Sequence, residues 1–157
     1  MRLKTIIKAD KSNLQFGKWN VGHITRSAFP LSKVKEKSYK LGKTYKWRLV
    51  RFTALERNIR VLIVLNEEKE IFRARLAVED NSDLIVVCEH EFHASEPGWH
   101  CHYSIKDVNS ITPGAYRDGK RKRPTSSDVS AVFNVNEANA LAIAAQRYGF
   151  DPKGDLL

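Results

Sequence analysis

The sequence predicts an α+β fold, in which an antiparallel β-sheet with meander connections is covered by at least one C-terminal helix. Three observations lead to this prediction. Apolar or alternating stretches follow one another through the middle of the chain, short polar runs separate them, and a helical apolar pattern with recognisable ends lies near the C-terminus.

The strands are predicted from apolar or alternating stretches of strand length. Five such stretches cover residues 45–53, 60–65, 71–78, 84–93 and 100–108. The polar runs Asn66-Glu67-Glu68 and Asp80-Asn81-Ser82 are typical of turns between them. Strands joined by such short connections pair antiparallel, which gives a meander.

The last predicted element is a helix. Asn134 and Glu137 have the spacing of a capping box, and Asn136 is a second candidate for the N-cap. Gly149 is a typical residue just beyond a helix, and Pro152 follows it. The apolar face of the helix is predicted to consist of Ala138, Leu141, Ala142, Ala145 and Tyr148.

The length of 157 residues predicts a single domain over residues 1–157. Its first part, to about residue 46, is weakly periodic and rich in lysine, and we interpret it as a basic, mobile N-terminal segment. The two cysteines, Cys88 and Cys101, are too few for a secreted disulfide scaffold. No apolar run approaches membrane-spanning length, so we expect a cytoplasmic protein without a membrane partner.

The net charge of +9 is unevenly distributed along the chain. Residues 1–60 carry 16 basic and 3 acidic side chains, whereas residues 61–115 carry 4 basic and 10 acidic ones. Basic arms around an acidic centre favour a nucleic-acid partner, although a merely soluble basic protein would show the same balance. The residues predicted to contact phosphate are the loop residues Lys120, Arg121, Lys122 and Arg123, together with Lys43 and Lys46.

Histidine and glutamate are concentrated between residues 89 and 102. We interpret Pro97-Gly98 as the turn of a hairpin in which His93 lies opposite His100. Because side chains alternate along a strand, His93, His100 and His102 then share one face with Glu91. Three imidazoles and a carboxylate predict a divalent metal site, with manganese, magnesium or zinc as the ion.

Two other interpretations of this hairpin remain open. The polar face is either solvated without a ligand, or it uses His93 and His100 for acid–base chemistry without a metal. On the opposite face, His90 is predicted to pack in the core. Cys101 is expected opposite Phe92 there, which excludes a disulfide with the other cysteine.

Residues 84–103 resemble part of the HUH-type nucleases, the rolling-circle replication initiators and relaxases. The resemblance rests on Gly98-Trp99-His100-Cys101-His102, which is similar to the family's His-hydrophobic-His strand, and on the polar strand before it. It implies that His100 and His102 bind a metal, with His93 or Glu91 as the third ligand. It also implies cleavage of single-stranded DNA by a tyrosine that forms a 5′-phosphotyrosyl link.

Two tyrosines compete for the role that the resemblance implies. Tyr148 lies on the predicted helix, where the family has its nucleophile, but it also completes an apolar helix face. Tyr116 is followed by Lys120 at the family's spacing, but it sits in a predicted loop. We retain both as candidate catalytic residues, with Glu91 assisting.

The sequence is therefore compatible with three functions. The first is a metal-dependent nuclease, HUH-like and acting on single-stranded DNA. The second is a non-catalytic nucleic-acid-binding module stabilised by zinc. The third is a small, toxin-like RNase that uses histidines as acid and base without a metal. The sequence leaves the oligomeric state open.

Overall fold

The computed structural model describes residues 1–31, 39–93, 95–124 and 132–156. In these residues eight strands form a single sheet, with two α-helices and two short 3₁₀ helices around it. The strands are β1 (Ser12–Phe16), β2 (Asn20–Val21), β3 (Lys46–Ala54), β4 (Arg57–Asn66), β5 (Ile71–Asp80), β6 (Asp83–His93), β7 (Glu96–Tyr103) and β8 (Arg121–Pro124). The helices are α1 (Leu3–Lys8) and α2 (Ala140–Tyr148), and the 3₁₀ helices are Val108–Ser110 and Pro152–Leu156.

The sheet is antiparallel throughout and runs in the order β1-β3-β4-β5-β6-β7-β8, with β2 also paired to β3. Strands β3 to β7 form the predicted meander, and turns follow Asn66 and Asp80 as expected. With α2 packed on the sheet near the C-terminus, the predicted α+β fold is confirmed. Among the described residues, no helix combines the length and apolar character needed to cross a bilayer.

The sheet has two buried faces. We call one the helix face, because α2 packs there against the larger apolar cluster, which includes Val50, Ile63, Phe72, Ala74, Leu76 and Cys88. The side chains that alternate with these on β3 and β4 belong to a second cluster, which includes Trp47, Leu49, Leu62 and Val64. Strand alternation therefore separates the two cores.

The second cluster is completed by the N-terminal segment that the sequence predicted to be mobile. Ile24, Phe29, Leu31 and Tyr39 are buried in it. Burial of an aromatic or aliphatic side chain contributes about 1.5–3 kcal/mol, which ties the described part of this segment to the sheet. Residues 32–38, which include part of the lysine-rich run, lie outside the described residues.

Helix α2 begins later than predicted, because its N-terminal signal is different. The side chain of Asn136 accepts hydrogen bonds from the backbone N–H groups of Ala138 and Asn139, whereas Glu137 forms an ion pair with Lys46. The predicted C-terminal glycine is confirmed, since Gly149 has a left-handed φ of 75°. The buried helix face consists of Ala140, Leu141, Ala144, Ala145 and Tyr148, so the predictions for Ala138 and Ala142 were wrong.

Three of the four consecutive cations do not lie in a loop as predicted, whereas Lys120 precedes the strand. Arg121 to Pro124 form β8, the last strand of the sheet, and Arg123 pairs with Cys101. These residues have no apolar alternation from which the strand could be recognised. Its backbone pairing with β7 satisfies the hydrogen-bonding groups that a loop would leave to water.

Candidate metal centre

Three neighbouring strands place charged side chains side by side on the face opposite α2. Residues that pair directly across an antiparallel ladder point to the same side. Two such rows cross β5, β6 and β7: Arg73, Glu91 and His100 form the first, and Arg75, Glu89 and His102 form the second. We call this surface the histidine face and define it by Glu89, Glu91, His93, His100 and His102.

The predicted membership of this face was correct, but the predicted register was wrong by two residues. His100 lies opposite Glu91 rather than His93, and the partner of His93 is Glu96. Strand β6 ends at His93 and β7 begins at Glu96, so Gly98, with a φ of 75°, lies inside β7 instead of at the turn. A shift of two residues preserves the side on which each side chain points, so the same groups still meet.

Glu91 is the centre of the site. Its Oε1 atom lies 2.9 Å from Nε2 of His100, 3.0 Å from Nε2 of His102 and 3.4 Å from Nε2 of His93. Nη2 of Arg117 is 3.2 Å from the same oxygen, and Nε of Arg73 is 3.5 Å from the other carboxylate oxygen. The predicted ligands His93, His100 and His102 are therefore brought together around Glu91.

Four nitrogen atoms surround one oxygen atom of Glu91. Hydrogen bonding does not account for all four, because a carboxylate oxygen offers only two lone pairs. The separations fit ligands that share an ion. Neighbouring ligands of a tetrahedral ion with bonds of about 2.0–2.1 Å lie about 3.3 Å apart. Ligand atoms of Glu91, His100 and His102 all lie within 4.8 Å of one another, and Nε2 of His93, which is not one of these three ligands, lies 3.4 Å from Oε1 of Glu91.

The burial of the site agrees with this interpretation. Glu91 is fully buried, and His100 and His102 are 2% and 8% exposed. The side chain of His93 is more accessible, at 17%. A buried carboxylate among imidazoles is costly unless the charges are paired, and a cation among these ligands would pair them.

Glu89 forms a second, ionic centre next to the first. Oε2 of Glu89 lies 2.6 Å from Nε of Arg75, and the hydroxyl group of Tyr116 donates to both carboxylate oxygens at 2.8 Å. The guanidinium carbons of Arg75 and Arg117 lie 4.6 Å and 5.1 Å from the centre of the Tyr116 ring. Tyr116 is thus held between two cations and one carboxylate.

The two carboxyl groups have opposite pKa shifts. Burial and the neighbouring Glu89 raise the pKa of Glu91 to about 8, although Arg117 and Arg73 act against this. Burial alone would also raise the pKa of Glu89, but Arg75 and the hydrogen bond from Tyr116 hold it well below its usual range. In the metal-free protein, Glu89 therefore carries the negative charge near pH 7.

Lys120 was predicted to contact phosphate from an exposed loop. Its Nζ atom is buried, and it makes no hydrogen bond within the described parts of the chain. Burial lowers the pKa of Lys120 to about 8, and the charge of Glu89 opposes that shift. Lys120 is therefore a buried cation beside the site rather than a solvated one.

Tyr148 is not part of the site. It is fully buried on the helix face, where its hydroxyl group donates to the backbone carbonyl oxygens of Ala74 and Cys88. Burial raises the pKa of Tyr148 well above its ordinary value. Of the two tyrosines that the sequence singled out, only Tyr116 lies beside the histidine face.

The helix side of the hairpin is packed as predicted. His90 is buried there and stacks on Trp99 with a ring separation of 4.9 Å. Cys88 and Cys101 are both free, as expected. The predicted partner of Cys101 was wrong, because Cys101 lies opposite His90 rather than Phe92.

The predicted phosphate contacts are divided between the two faces. Lys122 pairs with His102 and so points to the histidine face, whereas Arg121 and Arg123 pair with Tyr103 and Cys101. Lys46 forms an ion pair with Glu137 at 2.7 Å, and Lys43 is exposed. The six cations therefore do not form a single surface.

Sequence reasoning missed Arg73, Arg75 and Arg117. The two β5 arginines alternate out of phase with Phe72 and Ala74, so their placement opposite the core could have been found. Their glutamate partners could not, because the register between β5 and β6 shifts between Leu76 and Ala77 of β5. Arg117 has a left-handed φ of 61° in a turn, a conformation that the sequence does not signal.

No protein-family model matches the chain, and no curated protein or solved structure matches it either. What the site does must therefore follow from the chemistry of its own side chains.

Proposed function

We propose that this protein is a divalent-metal-dependent nuclease that cleaves single-stranded DNA at the histidine face. The observation that carries the proposal is the convergence of three imidazole nitrogens on one buried carboxylate oxygen, with Arg73 and Arg117 in contact with the same carboxylate. Guanidinium groups bind phosphate oxygens well, so arginines beside a metal site suit a phosphodiester.

Glu91, His93, His100 and His102 would hold the ion. A divalent ion held there would supply Lewis acidity toward a phosphoryl oxygen. Arg117 is 40% exposed at its side chain while it contacts both buried carboxylates, so it can also reach a phosphate from solvent. Lys122 extends the positive surface of the same face on β8.

Tyr116 is the nucleophile in this proposal. Its hydroxyl oxygen attacks phosphorus, the bond from phosphorus to the 3′ oxygen breaks, and the 3′ oxygen leaves as a hydroxyl group after taking a proton from water. The phenolic proton passes to water, and Glu89, which accepts the hydrogen bond from Tyr116, orients the hydroxyl group. Because burial raises the pKa of Tyr116, proton transfer accompanies the attack instead of preceding it.

The test is a denaturing gel of the full chain incubated with 3′-end-labelled single-stranded DNA in Mn²⁺ or in EDTA. We expect a labelled band of protein-plus-DNA mass in Mn²⁺ alone. His100→Ala should reduce cleavage by about 100-fold or more, because it removes a metal ligand. His23→Ala is the matched control, since His23 is exposed and lies outside the site.

Tyr116→Phe and Tyr148→Phe separate the two tyrosines. Each removes one hydroxyl group, but only the first should abolish the adduct. If the adduct persists in Tyr116→Phe, the nucleophile is assigned wrongly. If neither DNA nor RNA is cleaved under any condition, the nuclease proposal fails, and RNA cleavage that persists in EDTA would favour the metal-independent RNase.

A second candidate is the zinc-stabilised nucleic-acid-binding module. The observation that favours it is the closure of the site, since Glu91, His100 and His102 are almost inaccessible. Structural zinc sites have four protein ligands, whereas catalytic sites keep a position open. This candidate predicts one tightly held zinc ion per chain, no cleavage, and DNA binding that weakens steeply with salt.

A further inference from the structure

A second concave site lies on the helix face, away from the histidine face. It is a pocket of about 320 Å³ between the start of α1 and the edge formed by β7 and β8. Its volume falls at the lower end of the range of small-molecule sites. Cys101 and Tyr103, which point to the helix face, contribute to its wall, so the sheet separates it from Glu91.

The lining of this pocket has a clear charge bias. Arg2, Lys4 and Arg123 contribute to it, and no aspartate or glutamate does among the described lining residues. Asp107 interacts with Arg2, but its carboxylate is already bonded to the N-terminal ammonium group and to the backbone N–H of Asn109. The pocket is therefore positively charged, because three cations line it and no carboxylate among the described lining residues neutralises them.

The rest of the lining is mainly apolar. Leu3, Tyr103, Ile105 and Pro124 provide it, and Ile105 is one of the large hydrophobic side chains that remain exposed, at 52%. The pocket thus offers a positive rim for one anionic group and apolar walls for the body attached to it.

We propose that this pocket binds a small ligand with an anionic group on an apolar or aromatic body. Arg123 and Lys4 pair with the anion, and Leu3 and Ile105 cover the body. A carboxylate on an aliphatic chain and the phosphate of a mononucleotide share this chemistry. The site goes beyond the proposed nuclease activity, because none of its cations belongs to the histidine face.

The test uses isothermal titration of the full chain with naphthalene-2-sulfonate, and with naphthalene-2-methanol as the neutral probe of the same body. We expect the sulfonate to bind and the alcohol to bind at least about tenfold more weakly. Arg123→Gln should weaken sulfonate binding about fivefold, the value of one partly exposed charge pair. Equal affinity for both probes, or no binding of the sulfonate, would overturn the proposal.

Arg121→Gln is the matched control. Arg121 lies on the same strand and points to the same side as Arg123, but it does not line the pocket. The same loss of affinity in both variants would mean that the general positive charge is responsible, and the pocket would be rejected. Unchanged sulfonate binding in His100→Ala with EDTA separates this site from the metal centre, whichever way the nuclease test ends.

Competition identifies the class of ligand. Displacement of the sulfonate by decanoate assigns the pocket to aliphatic carboxylates, and displacement by adenosine monophosphate assigns it to nucleotides. Displacement by neither would overturn the proposal, because both carry the group and the body that it requires.

Discussion

The two sides of the β6–β7 hairpin are both buried, yet they have opposite chemistry. The helix face carries Cys88, Phe92 and Cys101, which belong to the larger apolar cluster, and His90, which stacks on Trp99. The histidine face carries Glu89, Glu91, His100 and His102 at no more than 8% exposure. The same two strands thus support an apolar core on one side and a charged cluster on the other.

This difference indicates that one face serves the stability of the fold and the other serves its function. Apolar burial stabilises the fold directly, whereas buried carboxylates stabilise it only when they are fully paired. Glu89 is paired by Arg75 and Tyr116, but Glu91 has its pKa raised to about 8 by burial and by Glu89. We infer that the helix face holds the hairpin together and that the histidine face is maintained for binding.

The largest effect is expected from a substitution that removes packing on the helix face. Phe72 is fully buried, and Phe72→Ala should reduce the free energy of unfolding by about 3–5 kcal/mol. Glu91→Gln should change it by less than about 1 kcal/mol in EDTA at pH 7, because a mostly protonated carboxyl group is replaced by an amide of similar shape. Urea unfolding measures both. Similar losses in the two variants would show that the histidine face is itself a structural network.

Zinc should stabilise the wild-type protein through the histidine face alone. At a free zinc concentration about 100 times the Kd, the free energy of unfolding should rise by about 2.7 kcal/mol. Thermal unfolding of Glu91→Gln and His102→Ala should show no such increase. Cys101→Ala is the control on the helix face and should keep the full increase. Loss of the increase in Cys101→Ala would place the ion at the thiols.

The pH dependence of stability should have opposite signs on the two faces in EDTA. The folded protein keeps a proton on Glu91 up to about pH 8, whereas the unfolded chain loses it above about pH 4.5, so this contribution falls as pH rises through that window. Burial lowers the pKa of His90 to about 3, so its contribution rises between about pH 3 and 6.5, where only the unfolded chain is protonated.

Above pH 6.5, of the two groups, only Glu91 still makes the free energy of unfolding depend on pH. Urea unfolding between pH 6.5 and 8 should therefore show that Glu91→Gln gains stability relative to the wild-type protein as pH rises, while His90→Gln shows no such trend. A parallel pH dependence of Glu91→Gln and the wild-type protein would contradict the raised pKa of Glu91.

The comparison also shows which features the sequence encodes locally. Alternation in β6 and β7 depends on neighbouring residues only, so the membership of both faces was predicted correctly, with Glu91, His93, His100 and His102 together. Register depends on the turn and on irregularities. The β6–β7 register shifts between Phe92 and His93, and the β5–β6 register shifts between Leu76 and Ala77, and neither irregularity has a distinct sequence signal.

Features that depend on distant parts of the chain were less predictable. Tyr116 reaches Glu89 because the loop after the Val108–Ser110 turn crosses the sheet, whereas Tyr148 is drawn to the helix face by its apolar helix. β8 has no apolar side chain apart from Pro124, so only its pairing with β7 reveals it as a strand. Periodicity predicts elements and their faces, but it does not predict which loop covers them.

The smallest effect is expected from substitutions at two adjacent residues of β8, whose side chains point to opposite faces of the sheet. Lys122 pairs with His102, and Arg123 pairs with Cys101. If single-stranded DNA binds across the histidine face, Lys122→Gln should weaken binding about two- to fivefold and reduce the slope of affinity against salt by about 0.7, the effect of one phosphate contact. Arg123→Gln removes the same charge from the other face and should leave that slope unchanged. Fluorescence anisotropy over a salt series measures both, and equal slopes in the two variants would mean that the DNA follows the edge of the sheet and does not distinguish its faces.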